Sequence, residues 1–332
     1  MNYSEKEIEE VLNKYKLTED EHKKYYEVIK RLWTADQYPV ENPIAVIIGG
    51  QTGAGKSGLI SYSQKMFPDN NVVIINSDEI KPFHPYGEEI AKKYPELYTK
   101  VTDQESNTWT SKLFEDVRNE KYNLIFEGTM KNNRIADEAI PILQGLGYTV
   151  VVRGLAVSGL ESRLSIHERY EGQVKHKGWG RLVVPEHHNQ TFNGMPNTIE
   201  YIEQNGRYDV LEIYTRGKTP DMPVLKYANH NKNTIEKTSQ VLKNKNFITK
   251  ESQKNNYMNA KDSILKVREE NEEQIIDDCK ERFAAIINSM NDRNASKSEK
   301  EQLLELLELY NNTNEKVKKK DNMNKIVDDK ER

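Results

Sequence analysis

The sequence predicts an α/β protein with a doubly wound, mostly parallel sheet, preceded by N-terminal helices and followed by a C-terminal helical extension. Residues 43–216 alternate short β-branched apolar runs with helical stretches, a rhythm typical of right-handed crossovers between parallel strands. All 17 glycines and all 11 prolines lie at or before Pro223, and the rest of the 332 residues contain neither. A turn-rich domain followed by an unpunctuated charged segment is therefore expected, with a boundary near residue 225.

Residues 1–40 are predicted to form two short helices that brace or cover the domain over residues 41–225. The pairs Ser4 with Glu7 and Thr18 with Glu21 have the spacing of capping boxes. The apolar residues that follow at helical spacing are Ile8, Val11, Leu12 and Tyr15, then Tyr25, Ile29, Leu32 and Trp33.

The strands of the sheet are predicted from short apolar runs rich in β-branched residues, as expected for strands buried on both faces. These runs are residues 44–48, 72–75, 124–126 and 149–155, with 210–214 as a further candidate. Helical stretches separate most of them, which favours parallel pairing.

The strongest chemical signal is a phosphate-binding loop at the end of the first predicted strand. The pattern G-x-x-x-x-G-K-[ST] is matched in full by Gly50, Gln51, Thr52, Gly53, Ala54, Gly55, Lys56 and Ser57. The glycines allow backbone amides to converge on phosphate oxygens, the lysine lies along the β- and γ-phosphates, and the serine hydroxyl binds Mg²⁺. The helix that opens here adds its positive end. The sequence therefore predicts a nucleoside triphosphate site.

Two carboxylates follow other predicted strands. Asp78 comes just after residues 72–75, and Glu127 follows residues 124–126 in the manner of a Walker B acid. Functional groups gather at the carboxyl ends of parallel strands, so these acids are expected to divide into a metal holder and a base for an attacking hydroxyl. Taken singly, either acid is at least as readily a helix cap.

Positive charge for the transferred phosphoryl group is expected from arginines. A predicted helix over residues 160–170 offers Arg163 and Arg169, and the following loop offers Arg181. A planar guanidinium spans two phosphate oxygens, but any one arginine is more often part of a surface ion pair. Spacing alone does not choose among the three.

The composition excludes several classes of protein. Charged residues make up 31% of the chain and the mean hydropathy is −0.87, with no apolar run of about 18 residues that could span a membrane. The start, MNYSEKEIEE, lacks the pattern of a secretory signal, and a single cysteine, Cys279, allows no internal disulfide. The net charge of −4 argues against a general nucleic-acid binder. A cytoplasmic protein with no membrane or nucleic-acid partner is expected.

Residues 226–332 are predicted to be a charged helical extension with two amphipathic runs and a turn at residues 294–298. The apolar positions are Ile275, Ile276, Cys279, Phe283, Ile286, Ile287 and Met290, then Leu303, Leu304, Leu306, Leu307 and Leu309. The favoured interpretation is a hairpin packed on the main domain or on itself, and the alternative is a docking surface for a partner helix. The last 20 residues have the composition of a frayed or disordered end.

A family resemblance rests on four segments in order: GGQTGAGKS, INSDEIKPFHP, YNLIFEGT, and ERYE followed by Arg181. Over about residues 42–216 the chain resembles the zeta toxins, the kinase toxins of bacterial epsilon/zeta toxin–antitoxin systems. The resemblance implies a P-loop kinase-like fold and an enzyme that uses ATP and Mg²⁺. It implies phosphorylation of the 3′-hydroxyl of the N-acetylglucosamine in UDP-N-acetylglucosamine, which poisons cell-wall synthesis. It also implies a small helical epsilon-type antitoxin as partner.

The resemblance implies roles for individual residues. Lys56 corresponds to the phosphate-binding lysine, Ser57 to the Mg²⁺ ligand and Asp78 to the base for the sugar hydroxyl. Arg169 and Arg181 correspond to the arginines that bind the nucleotide's phosphates, which leaves Arg163 as a structural residue. The residues expected on the substrate side are Asp78, His84, Glu127, Thr129 and Lys131, and Glu127 is also a candidate metal ligand from its Walker B position.

Two departures from the family pattern keep other functions open. Lys131 stands where the family usually has arginine, and Ser111 stands where it has a substrate-contacting glutamate, with Glu105 and Glu115 nearby. One alternative is a P-loop kinase for another hydroxyl, on a sugar, a nucleoside or a polynucleotide end. A second is a non-catalytic nucleotide-binding switch. A separate hypothesis concerns regulation: residues 1–40 or the C-terminal extension act as a tethered inhibitor of the site.

Overall fold

The computed structural model describes residues 3–231 and 259–328, with side chains in the last helix described up to residue 320. Within these ranges a six-stranded sheet forms the centre of the protein, in the order β2-β3-β1-β4-β5-β6. All neighbouring strands pair in parallel except β5 and β6. The strands are β1 (Ile44–Gly49), β2 (Val73–Ile75), β3 (Leu124–Glu127), β4 (Thr149–Leu155), β5 (Val210–Thr215) and β6 (Val224–His230).

Helices precede, connect and follow these strands. They are α1 (Glu5–Lys14), α2 (Glu19–Thr34), α3 (Lys56–Gln64), α4 (Ser77–Ile80), α5 (Gly87–Lys93), α6 (Tyr98–Asn119), α7 (Ile140–Gly145), α8 (Gly159–Lys177), α9 (Pro185–Gln204), α10 (Ala260–Asp292) and α11 (Lys297–Asp328). Short 3₁₀ turns lie at Pro68–Asn70, Lys81–Phe83 and Pro95–Leu97, and a π turn at Ile135–Ala139 precedes α7.

The sheet is covered on both faces, which confirms the doubly wound class. Successive residues of β1 alternate between two separate apolar clusters, with Ala45 and Ile47 in one and Val46 and Ile48 in the other. This alternation follows from the two-residue repeat of a strand, and continuous burial explains why the run is apolar throughout. The central strand β1 therefore delivers the loop that follows it to a rigid edge of the sheet.

The N-terminal helices begin as the sequence predicts. Both capping boxes are present, at Ser4 with Glu7 and at Thr18 with Glu21. Helix α1 buries Val11 in a small cluster with residues of α5 and α6, and α2 buries Ile29 in the larger core cluster beside the sheet. These helices therefore cover the side of the domain formed by α5, α6 and β2.

The sheet extends further along the chain than the sequence predicts. Strand β6 crosses the expected boundary at residue 225 and pairs antiparallel with β5, with a register shift between Ile213 and Tyr214. Its residues are exposed or half-buried, and its sequence lacks the continuous apolar run that identifies the other five strands. The strand was missed because an edge strand needs less apolar sequence than a central one.

The C-terminal hairpin packs on the main domain, which confirms the favoured interpretation of its apolar stripes. Phe283 and Leu306 lie with Leu160 and Leu164 of α8 in one apolar cluster. Arg282 pairs with Glu168 of α8 through two contacts of 2.6 and 2.7 Å. The last helix continues through Asp328, and the expectation of a frayed or disordered end over the last 20 residues stays a prediction. Residues 329–332 lie outside the described ranges.

Candidate active site

The phosphate-binding loop lies between β1 and α3, in the strand-to-helix context that its pattern requires. Gly53 and Gly55 adopt positive φ angles of 78° and 95°, a region that favours glycine. A Cβ atom on Gly53 would lie 2.1 Å from the carbonyl oxygen of Ser162 in α8. The loop is therefore pressed against the start of α8, and its shape depends on the missing side chains.

Two long side chains hold the loop from behind. Arg216, the residue after β5, donates from Nε to the Ala54 carbonyl at 2.9 Å and from Nη2 to the Gly53 carbonyl. Gln51 is fully buried, and its amide nitrogen donates to the Val157 carbonyl at 2.8 Å. Arg216 thus satisfies two carbonyls of the loop, and Gln51 ties the loop to the segment that follows β4.

Lys56 connects the loop to the acid at the end of β3. Its ammonium group lies 3.4 Å from Glu127 Oε1 and donates to the Gly50 carbonyl at 3.1 Å. The other oxygen of Glu127 accepts a hydrogen bond of 2.6 Å from the amide of Asn76, which also caps α4 through the backbone amide of Asp78. Since β3 lies between β1 and β2, Glu127 stands between the loop and Asp78.

Asp78 sits in a cluster of opposite charges at the start of α4. Its Oδ1 atom lies 2.7 Å from the Lys81 ammonium and 2.7 Å from Nη1 of Arg181. Lys81 is buried and also contacts Asp103 of α6 at 2.8 Å. One oxygen of Asp78 thus carries both ion pairs, while half of the side chain remains exposed, at 51%.

The two acids have opposite electrostatic environments. Burial would raise the pKa of the Asp78 carboxyl, but the charges of Arg181 and Lys81 outweigh it and hold the pKa well below its ordinary value. Burial raises the pKa of the Glu127 carboxyl, and the charges of Lys56 and Arg169 only partly oppose that shift. Asp78 is therefore ionised at neutral pH, and Glu127 is the acid that holds a proton more easily.

The predicted arginines separate into two groups. Arg181 contacts Asp78 directly. Arg169 is an exposed residue of α8, and its positive charge lowers the pKa of the Glu127 carboxyl. In the described part of the chain Arg169 forms no ion pair. Arg163 instead lies 3.5 Å from Glu305 of α11, in line with the structural role expected for it.

The remaining predicted residues are less closely grouped. Ser57 is exposed at the start of α3, Thr129 is half-buried and Lys131 is exposed in the loop after β3. His84 is 3% exposed, and burial lowers the pKa of its imidazole. No side-chain contact in the described ranges joins His84 to Asp78 or Lys56. Its nearest ring is that of Tyr86, at 6.0 Å.

One of the two departures from the family pattern, Ser111, lies on α6. Ser111 is exposed and its hydroxyl donates to the Asn107 carbonyl of its own helix at 2.9 Å. Glu105 is buried, and it accepts a hydrogen bond from the backbone amide of Leu17 at 3.2 Å. Glu105 therefore holds the N-terminal helices to α6 rather than facing the cleft.

Sequence reasoning missed three residues that support the site. Asn76 joins Glu127 to α4, Lys81 pairs with Asp78, and Arg216 holds the loop. Two had a local signal, since Asn76 precedes a short helix as a cap and Lys81 is three residues after Asp78. Arg216 follows a predicted strand, which is the position where functional side chains of such sheets are expected.

The residues present fit a nucleotide with Mg²⁺. The loop offers backbone amides and Lys56, Ser57 follows at the start of α3, and the Glu127 carboxylate lies 3.4 Å from the Lys56 ammonium. Mg²⁺ in such sites is held by one or two protein oxygens together with phosphates and water. The described ranges contain no group of three or more His, Cys, Asp or Glu that could hold a metal alone, and a phosphate-bound Mg²⁺ needs none.

This arrangement defines a P-loop kinase-like protein, with the phosphate loop after the central strand and acids at the ends of two neighbouring parallel strands. The sequence profile described as Zeta toxin matches residues 30–223, which is more than half of the chain. The protein therefore belongs to the zeta toxin family.

Two similar proteins agree with this assignment. Toxin zeta of Streptococcus agalactiae is 30% identical over 189 residues, which cover 57% of this chain and 65% of that protein. Toxin PezT of Streptococcus pneumoniae is 28% identical over 180 residues, covering 54% and 71%. The chain thus matches less than two thirds of the Streptococcus agalactiae protein.

Among solved structures, the chain is similar to one from the PezAT chromosomal toxin–antitoxin system of Streptococcus pneumoniae. It aligns with a TM-score of 0.56 at 21% identity and covers 79% of this chain and 98% of that chain, which shows a shared fold.

None of the described helices combines the length and the apolar composition that spanning a bilayer requires.

Proposed function

We propose that the protein is a kinase that transfers the γ-phosphoryl group of ATP to an alcohol, with Asp78 as the base. The observation that carries the proposal is the contact chain from the phosphate loop to this acid: Lys56 to Glu127, Glu127 to Asn76, and Asn76 to the Asp78 amide. Each contact is 3.4 Å or shorter. This contact chain ties the backbone of Asp78 to the acid beside Lys56, and an ionised carboxylate on this residue supports a role as base in phosphoryl transfer to a hydroxyl.

In the transfer, the acceptor oxygen forms a bond to the γ-phosphorus while the bond from that phosphorus to the β–γ bridging oxygen breaks, leaving ADP. Asp78 accepts the hydroxyl proton as the new bond forms. Lys56, Arg169 and Arg181 gather the negative charge of the phosphoryl group, and the loop amides hold the β-phosphate. Mg²⁺, held by Ser57 and the Glu127 side of the site, would supply further charge neutralisation.

The pairing of Arg181 with Asp78 adds a condition to this mechanism. If Arg181 turns toward phosphate oxygens, the Asp78 carboxylate loses one of the two cations that hold down its pKa. Its affinity for a proton then rises at the stage when the acceptor hydroxyl must lose one. Lys81, which stays fixed between Asp78 and Asp103, would keep the carboxylate in place during this exchange.

The acceptor we propose is the 3′-hydroxyl of the N-acetylglucosamine in UDP-N-acetylglucosamine. Membership of the zeta toxin family supports this acceptor. Because Ser111 stands where the family has a glutamate that contacts the substrate, we expect at least one contact to the sugar to differ. We further propose that the protein acts in the cytoplasm as a toxin. A small helical epsilon-type antitoxin would be its partner, in keeping with the toxin–antitoxin system that the similar solved structure represents.

Identification of the phosphorylated product tests this proposal. The purified protein is incubated with ATP, Mg²⁺ and a panel of UDP-sugars, free sugars, nucleosides and oligonucleotides, and products are detected by mass spectrometry. A gain of one phosphoryl group on UDP-N-acetylglucosamine, placed at the 3′ position by NMR, is expected. Transfer to another member of the panel would overturn the acceptor, and nucleotide binding without any transfer would identify a non-catalytic switch.

Replacing Lys81 with methionine is expected to move the acidic limb of the pH–rate profile to higher pH. The Lys81 charge lowers the pKa of Asp78, so its removal raises that pKa, and a larger fraction of the base is protonated at a given acidic pH. The measurement is kcat/KM against pH. Lys92→Met, an exposed lysine paired with Glu88 on α5, is the matched control and should leave the profile unchanged. An unshifted limb for Lys81→Met would contradict Asp78 as the base.

A further inference from the structure

The C-terminal helix α10 reaches the phosphate loop through one side chain, Arg268. The guanidinium donates from Nη1 to the Phe192 carbonyl at 2.8 Å and from Nη2 to Oε1 of Gln51 at 3.3 Å. Its central carbon lies 3.9 Å from the centroid of the Phe192 ring. Arg268 is 5% exposed and Gln51 is fully buried, so this contact lies inside the protein.

The orientation of Gln51 is fixed by what its neighbours can offer. Arg268 can only donate, so it must face the amide oxygen of Gln51, and the Val157 carbonyl can only accept, so it must face the amide nitrogen. The same nitrogen lies 3.3 Å from the Ser162 hydroxyl. The Gln51 side chain is thus held between α8, α10 and the segment that follows β4, and Gln51 is the second residue of the phosphate loop.

Arg268 is placed at a cost that calls for a compensating role. Burial lowers the pKa of its guanidinium to about 9, and the carboxylate of Glu272 only partly opposes the shift. In the described part of the chain no carboxylate lies within ion-pair distance of it. Burial of a cation that has neutral acceptors and an aromatic face but no carboxylate partner costs free energy of desolvation. Such a residue is expected where its hydrogen bonds serve a specific purpose.

A second link from the same helix ends near the loop. Arg282 donates to the Ser165 hydroxyl at 3.1 Å, and that hydroxyl also accepts from Nη1 of Arg216 at 3.1 Å. Arg216 holds the Gly53 and Ala54 carbonyls of the loop. Helix α10 therefore reaches the loop from two points, and the direct one is Arg268.

We propose that Arg268 is a positioning residue for the nucleotide site, acting through Gln51 to hold the phosphate loop in its binding shape. The C-terminal extension then belongs to the nucleotide-binding apparatus and is not an inhibitor of it. The inference depends on one part of the proposed function, that the loop binds ATP. It depends neither on the identity of the acceptor nor on Asp78.

The test compares Arg268→Met with wild type in the full chain. Methionine keeps an unbranched apolar stem but removes the donors, and we expect the dissociation constant of Mg-ATP, measured by calorimetry, to rise about tenfold. At saturating ATP, kcat should change less than KM for ATP. Lys261→Met is the matched control, because Lys261 also joins α10 to α9, at 2.9 Å from Glu200, without touching the loop. It should bind Mg-ATP within about twofold of wild type.

A double-mutant cycle with Gln51→Met separates positioning from a general loss of structure. If Arg268 acts through Gln51, then Arg268→Met adds less than about twofold when Gln51 is already methionine. Arg268→Lys, which keeps a charge but lacks the fork that reaches both acceptors, should give an intermediate loss and serves if the methionine variant does not fold.

Two results would overturn the proposal. One is a folded Arg268 variant that binds Mg-ATP as tightly as wild type does. The other is a double variant whose loss of Mg-ATP affinity equals the product of the losses of the two single variants, which would mean that Arg268 and Gln51 act independently. Wild-type protein that binds no Mg-ATP would instead overturn the proposed function, and this inference with it. Deletion of α10 and α11 that tightened ATP binding would favour a tethered inhibitor and contradict a positioning role.

Discussion

Replacement of Asp78 with asparagine is expected to lower kcat by about 10²–10⁴-fold while Mg-ATP binding stays within about threefold of wild type. Asparagine has nearly the same size, and its oxygen still accepts hydrogen bonds from Lys81 and Arg181. It cannot take the proton of an acceptor hydroxyl. The loss should therefore appear in turnover and not in nucleotide affinity, as measured by steady-state kinetics and calorimetry on the same preparation.

Glu79→Gln is the matched control for this experiment. Glu79 is the next residue in α4 and is also exposed, and it forms no part of the contact chain from Lys56 to Asp78. Its turnover should remain within about threefold of wild type. Near-normal turnover by Asp78→Asn, with the product unchanged, would remove Asp78 from the mechanism and leave Glu127 as the acid to examine.

Replacement of Lys56 with methionine is expected to weaken Mg-ATP binding at least tenfold and to lower turnover by about 10²–10³-fold. The ammonium group belongs to a residue of the phosphate loop itself, and it donates hydrogen bonds to the Gly50 and Gln51 carbonyls. Its loss also removes the nearest positive charge from Glu127. Burial has already raised the pKa of this carboxyl, so a further rise would protonate more of it and weaken its hold on a cation.

Lys65→Met provides the comparison, because Lys65 lies at the other end of α3, is 58% exposed and pairs with Asp221 at 3.1 Å. It should change neither binding nor turnover by more than about twofold. If Lys56→Met retained turnover within tenfold of wild type, the phosphate loop would not be the nucleotide site.

The fold and the centre of the site were predictable because their signals are local. The run at β1 and the glycine pattern after it are contiguous, and strand ends mark Asp78 and Glu127 without any knowledge of contacts. The fold class is confirmed, as is the packing of the C-terminal hairpin on the main domain. The roles of the individual site residues stay predictions.

What the sequence did not reveal depends on distance along the chain. Arg268 lies 217 positions from its partner Gln51, and nothing in the charged pattern of α10 distinguishes it from neighbouring basic residues. His84 is a different case, since the family resemblance places it on the substrate side and the structure shows it buried, so its role stays a prediction. Burial arises from packing among distant elements, which no spacing rule contains.

Strand β6 has a practical consequence for work with shorter forms of this protein. It covers the outer hydrogen-bonding edge of β5, a strand whose every residue is buried. Ending the chain near residue 225, just after the last proline, would uncover that edge and leave an apolar strand free to pair with another molecule. Precipitation of the truncated protein would therefore indicate an uncovered sheet edge, and a version that keeps residues through His230 should stay in solution more readily.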